Sequence, residues 1–256
     1  MDNIANEFRQ ATGVAVSTKT LRIEAHKLGY TERSAAHRPL ITKTSKKACL
    51  RWAKDHRTWT LDDWKRILWS DESRFTLFRS DGRVWVWRLP GERLLPECVV
   101  PTVKFSGGGL MVWACFSWYG AGPLVKVDGA MNADILDNHV LPTLWATYGM
   151  DGCWYQDNNA TCHVARRTLD WYVNNSVKRM EWPAQSPDLN PIEHLWDELD
   201  RRLRACTPLS KSKPELWNFL LNIWKEIPLA TMTNLVESMP RRVAAVIAAK
   251  GGPTSY

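Results

Sequence analysis

A chain of 256 residues, 45% of them hydrophobic, can bury a substantial core in one or two domains, yet no run nears the roughly 18 apolar residues of a membrane span and no charged-then-apolar leader opens it, so it reads as soluble, unsecreted and free of membrane contact. The six cysteines (Cys49, Cys98, Cys115, Cys153, Cys162 and Cys206) lack the close pairing of zinc ligands and read as reduced thiols. The net charge of +7 is confined to the first quarter: through Thr60 there are 12 Lys/Arg against 5 Asp/Glu, and from Leu61 onward 22 against 22. A basic arm on a neutral body suits nucleic-acid binding, with a solvated charged face as the competing explanation.

Residues 8–28 predict helix, turn, helix. The first helix runs through Ala11 and breaks at Thr12-Gly13; Ser17 caps the second and Gly29 stops it. Leu21, Ala25 and Leu28 share an apolar face, while Lys19, Arg22, His26 and Lys27 populate the other. That polar face fits a major groove, although an ordinary surface helix has the same pattern. A basic linker follows from Arg33 to Arg57, carrying Arg38, Lys43, Lys46 and Lys47, until LRWAKDH begins another short helix.

The run from Arg66 to Phe78 is apolar at both ends and polar in the middle, as in a central strand. Asp71 then lies in the strand interior, a costly place for a carboxylate unless a partner such as a metal meets it. Glu72, on the opposite face, serves as the control for that reading. Asp81-Gly82 predicts a hairpin into the alternating Arg83-Val84-Trp85-Val86-Trp87, and a long apolar strand follows Gly109 before Gly120 and Gly122-Pro123 turn the chain into PLVKV. The tryptophans read as core rather than base-stacking groups. In MNADILDNHVLPTLWATYG, a short helix turns Ile135, Leu136, Val140 and Leu144 inward.

Residues 153–156 predict a buried strand that ends at Asp157-Asn158-Asn159-Ala160-Thr161-Cys162-His163, before the helix VARRTLDWYVNN. A strand end that feeds a helix is where α/β folds gather ligands. Farther on, Pro183, Pro187 and Pro191 hold the chain extended. A helix then begins with Asn190 as its cap and Pro191 in its first position, and Ile192, Leu195, Trp196, Leu199 and Leu203 recur at helical spacing. Glu193 thus falls in a first turn, where an acid ordinarily complements the helix dipole. Arg201, Arg202 and Arg204 close that helix; ELWNFLLNIWKEI and VAAVIAAKGG form further helices.

Three of these stretches, WSDESRF, DNNATCH and SPDLNPIEHLW, resemble the catalytic motifs of the Tc-one/mariner superfamily of transposases, and residues 8–28 resemble the second helix-turn-helix of its paired-type DNA-binding region. The resemblance covers nearly the whole chain. It implies an α/β fold with a ribonuclease-H-like mixed sheet flanked by helices, preceded by a small all-α helix-turn-helix arm. The implied domains are an arm over 1–60, a catalytic domain over 61–208 and a C-terminal helical extension over 209–256.

The resemblance also implies Asp71 and Glu193 as catalytic metal ligands for two Mg2+ or Mn2+ ions. It implies cleavage at transposon ends followed by attack of a 3′-hydroxyl on target DNA, in the nucleus. The expected partners are double-stranded DNA, as terminal inverted repeats and target, and further copies of the chain in a homodimer or higher synaptic oligomer. Lys19, Arg22, His26, Lys27, Arg38, Lys43, Lys46 and Lys47 are the expected DNA contacts. Family members carry a further helix-turn-helix before this point and a longer segment around MNAD, so either end recognition is weaker or the chain is a fragment, and a shortened helix is expected.

The second acid is ambiguous. Counting back five from His163, as the motif requires, reaches Asn158 without a gap, with 34 residues between it and Glu193; taking Asp157 instead needs a one-residue insertion and leaves 35 intervening residues. The ungapped alignment is simpler. Two-ion phosphodiester chemistry needs carboxylates to hold ions about 3.5–4 Å apart, and an amide oxygen offers Mg2+ a dipole without the charge. The chain is therefore expected to be catalytically impaired if Asn158 fills the position, the alternative function being that of a non-catalytic DNA-binding protein derived from a transposase.

Overall fold

The computed structural model describes residues 8–28, 42–77, 108–128, 133–149, 152–184, 186–206, 210–254 and 256. The chain divides into two compact units, residues 1–40 and 41–256. In the first, a helical turn over residues 8–12 ends at Gly13, whose φ of 73° is easy only for glycine. Ser17 then caps helix α1 (Thr18–Lys27), its hydroxyl accepting from the Thr20 amide at 3.1 Å. Lys19, Arg22, His26 and Lys27 are exposed, and Lys27 pairs with Glu24 at 2.8 Å. Leu28 does not complete the expected apolar face. It is the C-cap residue, past the last helical turn, and is 76% exposed. Gly29, Arg38, Cys98, the Ala25 side chain and the hairpin expected over 81–87 lie outside the described residues.

In the second unit the basic stretch expected as linker forms a full helix, α2 (Lys43–Asp55), capped by Thr42. Cys49, Trp52 and Ala53 are buried at helical spacing, while Lys43, Lys46 and Lys47 stay exposed. Burial of that stripe, not linker composition, decides its state. A capping box between Thr60 and Asp63 starts the short α3 (Leu61–Lys65) and delivers the chain to the sheet.

The described sheet has the order β3-β2-β1-β4. β1 (Ile67–Thr76) pairs antiparallel with β2 (Gly109–Ser117), which pairs antiparallel with β3 (Gly120–Val127), while β4 (Trp154–Gln156) runs parallel to β1. β1 and β2 are buried on both faces, so their residues divide by parity between two cores. Leu68, Trp113, Cys115 and Val127 pack on one side against α4 (Ala133–Ile135), a π-helical turn (Leu136–Val140), α5 (Leu141–Tyr148) and α6 (Arg166–Asn174), with Ile135, Leu136, Val140 and Leu144 inward as expected.

Ile67, Trp69, Phe75, Val112, Ala114 and Phe116 pack on the other side. They meet α2, α7 (Ile192–Ala205), α8 (Lys213–Lys225), α9 (Leu229–Glu237) and α10 (Met239–Ala248). The last three helices share the sheet's core through Leu216, Leu220, Trp224, Val236 and Val246. Trp52, Trp64, Trp69, Trp113 and Trp196 are core, and the five described cysteines are free thiols.

Candidate active site

Asp71 sits in β1 with the same parity as Ile67 and Trp69, so its side chain faces α7. It is 8% exposed, and the indole Nε1 of Trp196 donates to its Oδ2 at 3.2 Å. The strand on either side is anchored. The Gln156 amide oxygen accepts from the Ser70 N–H at 3.2 Å, and the Ser70 hydroxyl donates to the Gln156 carbonyl at 2.8 Å. Asn190 reaches the Ser70 carbonyl at 3.5 Å, while its own Oδ1 accepts from the Ile192 N–H at 3.4 Å. The N-cap of α7 is Pro191, one residue later than the sequence suggests, and Asn190 closes the preceding turn while tying the start of α7 to the acid-bearing strand.

A turn of 3-10 helix (Pro187–Leu189) leads into α7, and Glu193 occupies its first turn. Asp71, Asn158, Trp182, Ser186, Asn190 and Glu193 line one cleft. Burial and the charge of Glu72 push Asp71 up to about 6, against the hydrogen bonds from Asn158 and Trp196. Burial, then the charges of Asp71 and Asp197, push Glu193 up to about 7. Both acids are desolvated, and Asp71 disfavours ionisation of Glu193, an arrangement that positive charge would relieve.

Asp157 and Asn158 turn opposite ways, as successive residues leaving a strand do. Asp157 is 1% exposed and does not line the cleft. Arg179 grips it through Nε at 2.5 Å and Nη2 at 2.7 Å, Tyr172 donates its hydroxyl at 3.2 Å, and the Asn159 N–H donates at 2.9 Å. Burial works to raise its pKa, but the Arg179 hydrogen bonds and the charges of His163 and Arg179 prevail and hold it low. Asn159 adopts φ 58°, a left-handed conformation that Asn tolerates, and bonds Arg179 as well.

Asn158 points at the acids. Its Nδ2 donates to Asp71 Oδ1 at 2.9 Å and to Glu72 Oε2 at 3.1 Å, and its Oδ1 accepts from the Ala160 N–H at 2.9 Å. A backbone N–H can only donate and an ionised carboxylate only accept, so the partners on both sides fix which end of the amide is nitrogen. Among the described residues, no group of three or more His, Cys, Asp and Glu is arranged to hold a metal ion.

Glu72 is not the remote control that strand alternation suggests. β4 pairs with β1 only as far as Trp69, so the chain beyond Gln156 runs past an open strand edge, and from there Asn158 reaches both acids. His163, 1% exposed, places Nε2 at 3.0 Å from Glu72 Oε1. Burial acts to lower the imidazole pKa, but the hydrogen bond and charge of Glu72 and the charge of Asp157 outweigh it and raise it. The five-residue step from Asn158 to His163 was visible in the sequence; their common partner was not.

A transposase helix-turn-helix model matches residues 1–58, and a model described as DDE superfamily endonuclease matches residues 66–216. The Tcb1 transposase of Caenorhabditis briggsae is 40% identical over 245 residues, covering 94% of this chain and 88% of the relative; the Tc1 transposase of Caenorhabditis elegans is 40% identical over 243 residues, with the same coverage. Among solved structures, the Mos1 mariner paired-end complex with Mn has a TM-score of 0.73 at 17% identity, covering 97% of this chain and 75% of that one. The Mos1 catalytic domain has a TM-score of 0.60 at 15% identity, covering 88% of this chain and all of that one. The described sheet and its flanking helices thus belong to the ribonuclease-H-like DDE fold, and the chain belongs to the Tc1/mariner family of transposases.

Proposed function

We propose that this chain binds transposon-end DNA and carries a DDE-type centre at Asp71, Asn158 and Glu193, with its strand-cleaving chemistry strongly impaired. One observation carries this reading: the group that faces Asp71 from the second position is an amide nitrogen, which cannot ligate a cation. Asp71 and Glu193 offer hard oxygens in one cleft, which fits one divalent ion such as Mg2+ or Mn2+. When bound, such an ion would polarise a phosphate oxygen. A second ion does not fit, because Asp157, the neighbouring carboxylate, is already fully engaged by Arg179 and Tyr172.

The exposed Lys19, Arg22, His26 and Lys27 on α1, and Lys43, Lys46 and Lys47 on α2, are the groups we assign to DNA phosphates and groove edges. The relatives are transposases, and solved neighbours are paired-end and strand-transfer complexes; this supports DNA as the partner and two or more copies of the chain on paired ends. A nuclear location follows from our reading of DNA as the substrate. The test is a nicking assay on terminal-repeat duplex with Mg2+ or Mn2+. Wild-type protein is expected to bind the duplex and leave it intact, and Asn158→Asp to restore cleavage. Cleavage by wild type at a rate that Asn158→Asp does not raise would overturn the impairment, and equal affinity for terminal-repeat and random duplex would overturn end recognition.

A further inference from the structure

We propose that the Asn158 amide is a built-in replacement for a cation: it bridges Asp71 and Glu72, so the chain holds its acidic centre together with a hydrogen-bond donor where a metal-dependent centre would need an ion. This deepens the reading of the site given above and rests on the same placement of Asn158.

The centre does not match the ions expected of its fold. The Nδ2 of Asn158 lies 2.9 Å from one carboxylate and 3.1 Å from another, a bridging position between two anionic oxygens. Hydrogen bonds to ionised acceptors are the strong ones, so one NH2 group meeting two carboxylates offsets much of their mutual repulsion. The amide cannot turn over at little cost, because its oxygen already accepts from Ala160 and reversal would set oxygen against both acids and NH2 against an N–H. Glu72 is braced from its other oxygen by His163, which fixes it toward the bridge.

An Asp at position 158 would reverse the electrostatics. One oxygen would keep the Ala160 hydrogen bond, and the other would face Asp71 and Glu72, bringing three carboxylates together with no donor between them, Trp196 and His163 meeting only the far oxygens of Asp71 and Glu72. His163 neutralises Glu72 from outside, and the charge left between the three inward oxygens favours a cation or a bound proton there. The wild-type chain therefore needs no divalent ion at this position to fold, whereas an Asn158→Asp variant acquires that need.

The experiment is a double-mutant cycle in the DNA-free full chain with EDTA, read as melting temperature, together with Mn2+ binding followed by electron paramagnetic resonance. In the wild-type background Glu72→Gln should lower the melting temperature, because it removes the charged acceptor of the bridge. In the Asn158→Asp background the same change should raise it, because it removes one of three clustered charges. A reversal of a few degrees in total is expected for a unit of this size, where ~1 kcal/mol corresponds to about 2–4 °C. Wild type should bind one Mn2+ or none, and Asn158→Asp one more.

Glu72→Gln acting with the same sign in both backgrounds overturns the proposal, as does equal Mn2+ stoichiometry in wild type and Asn158→Asp. If Asn158→Asp does not fold without metal, the wild-type arm still decides: two bound Mn2+, or a higher melting temperature for Glu72→Gln, sinks it. None of these readouts involves DNA, so they fail or hold independently of end binding and cleavage.

Discussion

Arg179 holds Asp157 by two nitrogens, at 2.5 and 2.7 Å, on the side of the strand end away from the cleft that Asn158 enters. Asp157 is thus an ion-paired, buried acid next to Asn158 in sequence. Its side chain is 1% exposed and that of Arg179 20%, so cutting the pair leaves a largely buried guanidinium without its counter-charge. Asp157→Ala is expected to destabilise the fold by roughly 3 kcal/mol, measured by urea denaturation, while leaving Mn2+ stoichiometry at the wild-type value. A variant of unchanged stability that loses metal would assign Asp157 to the ion instead.

Asp71 and Glu193 set a pH dependence with a definite sign. Their folded-state values of about 6 and about 7 lie above the ordinary 3.8 and 4.5, so the folded chain holds more protons than the unfolded chain in between. Stability then falls as pH rises. In metal-free protein the melting temperature should decline from about pH 4 to 7 from these two groups, and Glu193→Gln should flatten the upper part of that decline. An unchanged profile in Glu193→Gln would show that Glu193 is not the desolvated acid described.

The start of α7 is strapped from the far end of the chain. Arg242, 1% exposed, donates to the Asp188 carbonyl at 2.9 Å, lies 3.1 Å from His194 Nδ1 and meets the ring of Tyr256, while the Thr254 hydroxyl reaches the Asp188 carboxylate at 2.9 Å. These partners flank Glu193 on both sides in sequence. Arg242→Met should cost about 2–3 kcal/mol by stranding buried acceptors, and Thr254→Ala about 1 kcal/mol. Both follow from denaturant titration, and Arg242→Met should also weaken Mn2+ binding. Unaltered metal affinity would confine the strap to stability.

Gly251 closes the chain against α2. Its φ is 77°, and a Cβ there would lie 2.0 Å from the Lys46 carbonyl oxygen. Gly251→Ala is expected to destabilise by roughly 2 kcal/mol through that overlap and the left-handed backbone. A melting temperature equal to wild type would mean that this end of the chain does not pack on α2 as described.

Elements that local chemistry dictates were legible in the chain. Periodic apolar residues marked α7, a proline-rich stretch marked the rigid approach to it, and Ser17 marked the start of α1, because spacing, fixed φ and capping act within a few residues. Resemblance to the family's motifs, not spacing, points to Asp71 and Glu193, and it leaves Asp157 and Asn158 as rivals. The basic stretch around Lys43 read as linker because the apolar partners that make it a helix, such as Trp182 and Val246, lie far along the chain.

Which way Asp157 and Asn158 face came from long-range packing. That depended on Arg179 and Tyr172 being present to receive Asp157, and on β4 ending early enough to let Asn158 reach around the edge of β1. It also drew Glu72 and His163 into one network with the cleft, through hydrogen bonds between residues 86 and 91 positions apart. Contacts at such separations are set by strand pairing and by where a strand stops, and no local pattern in the chain records them.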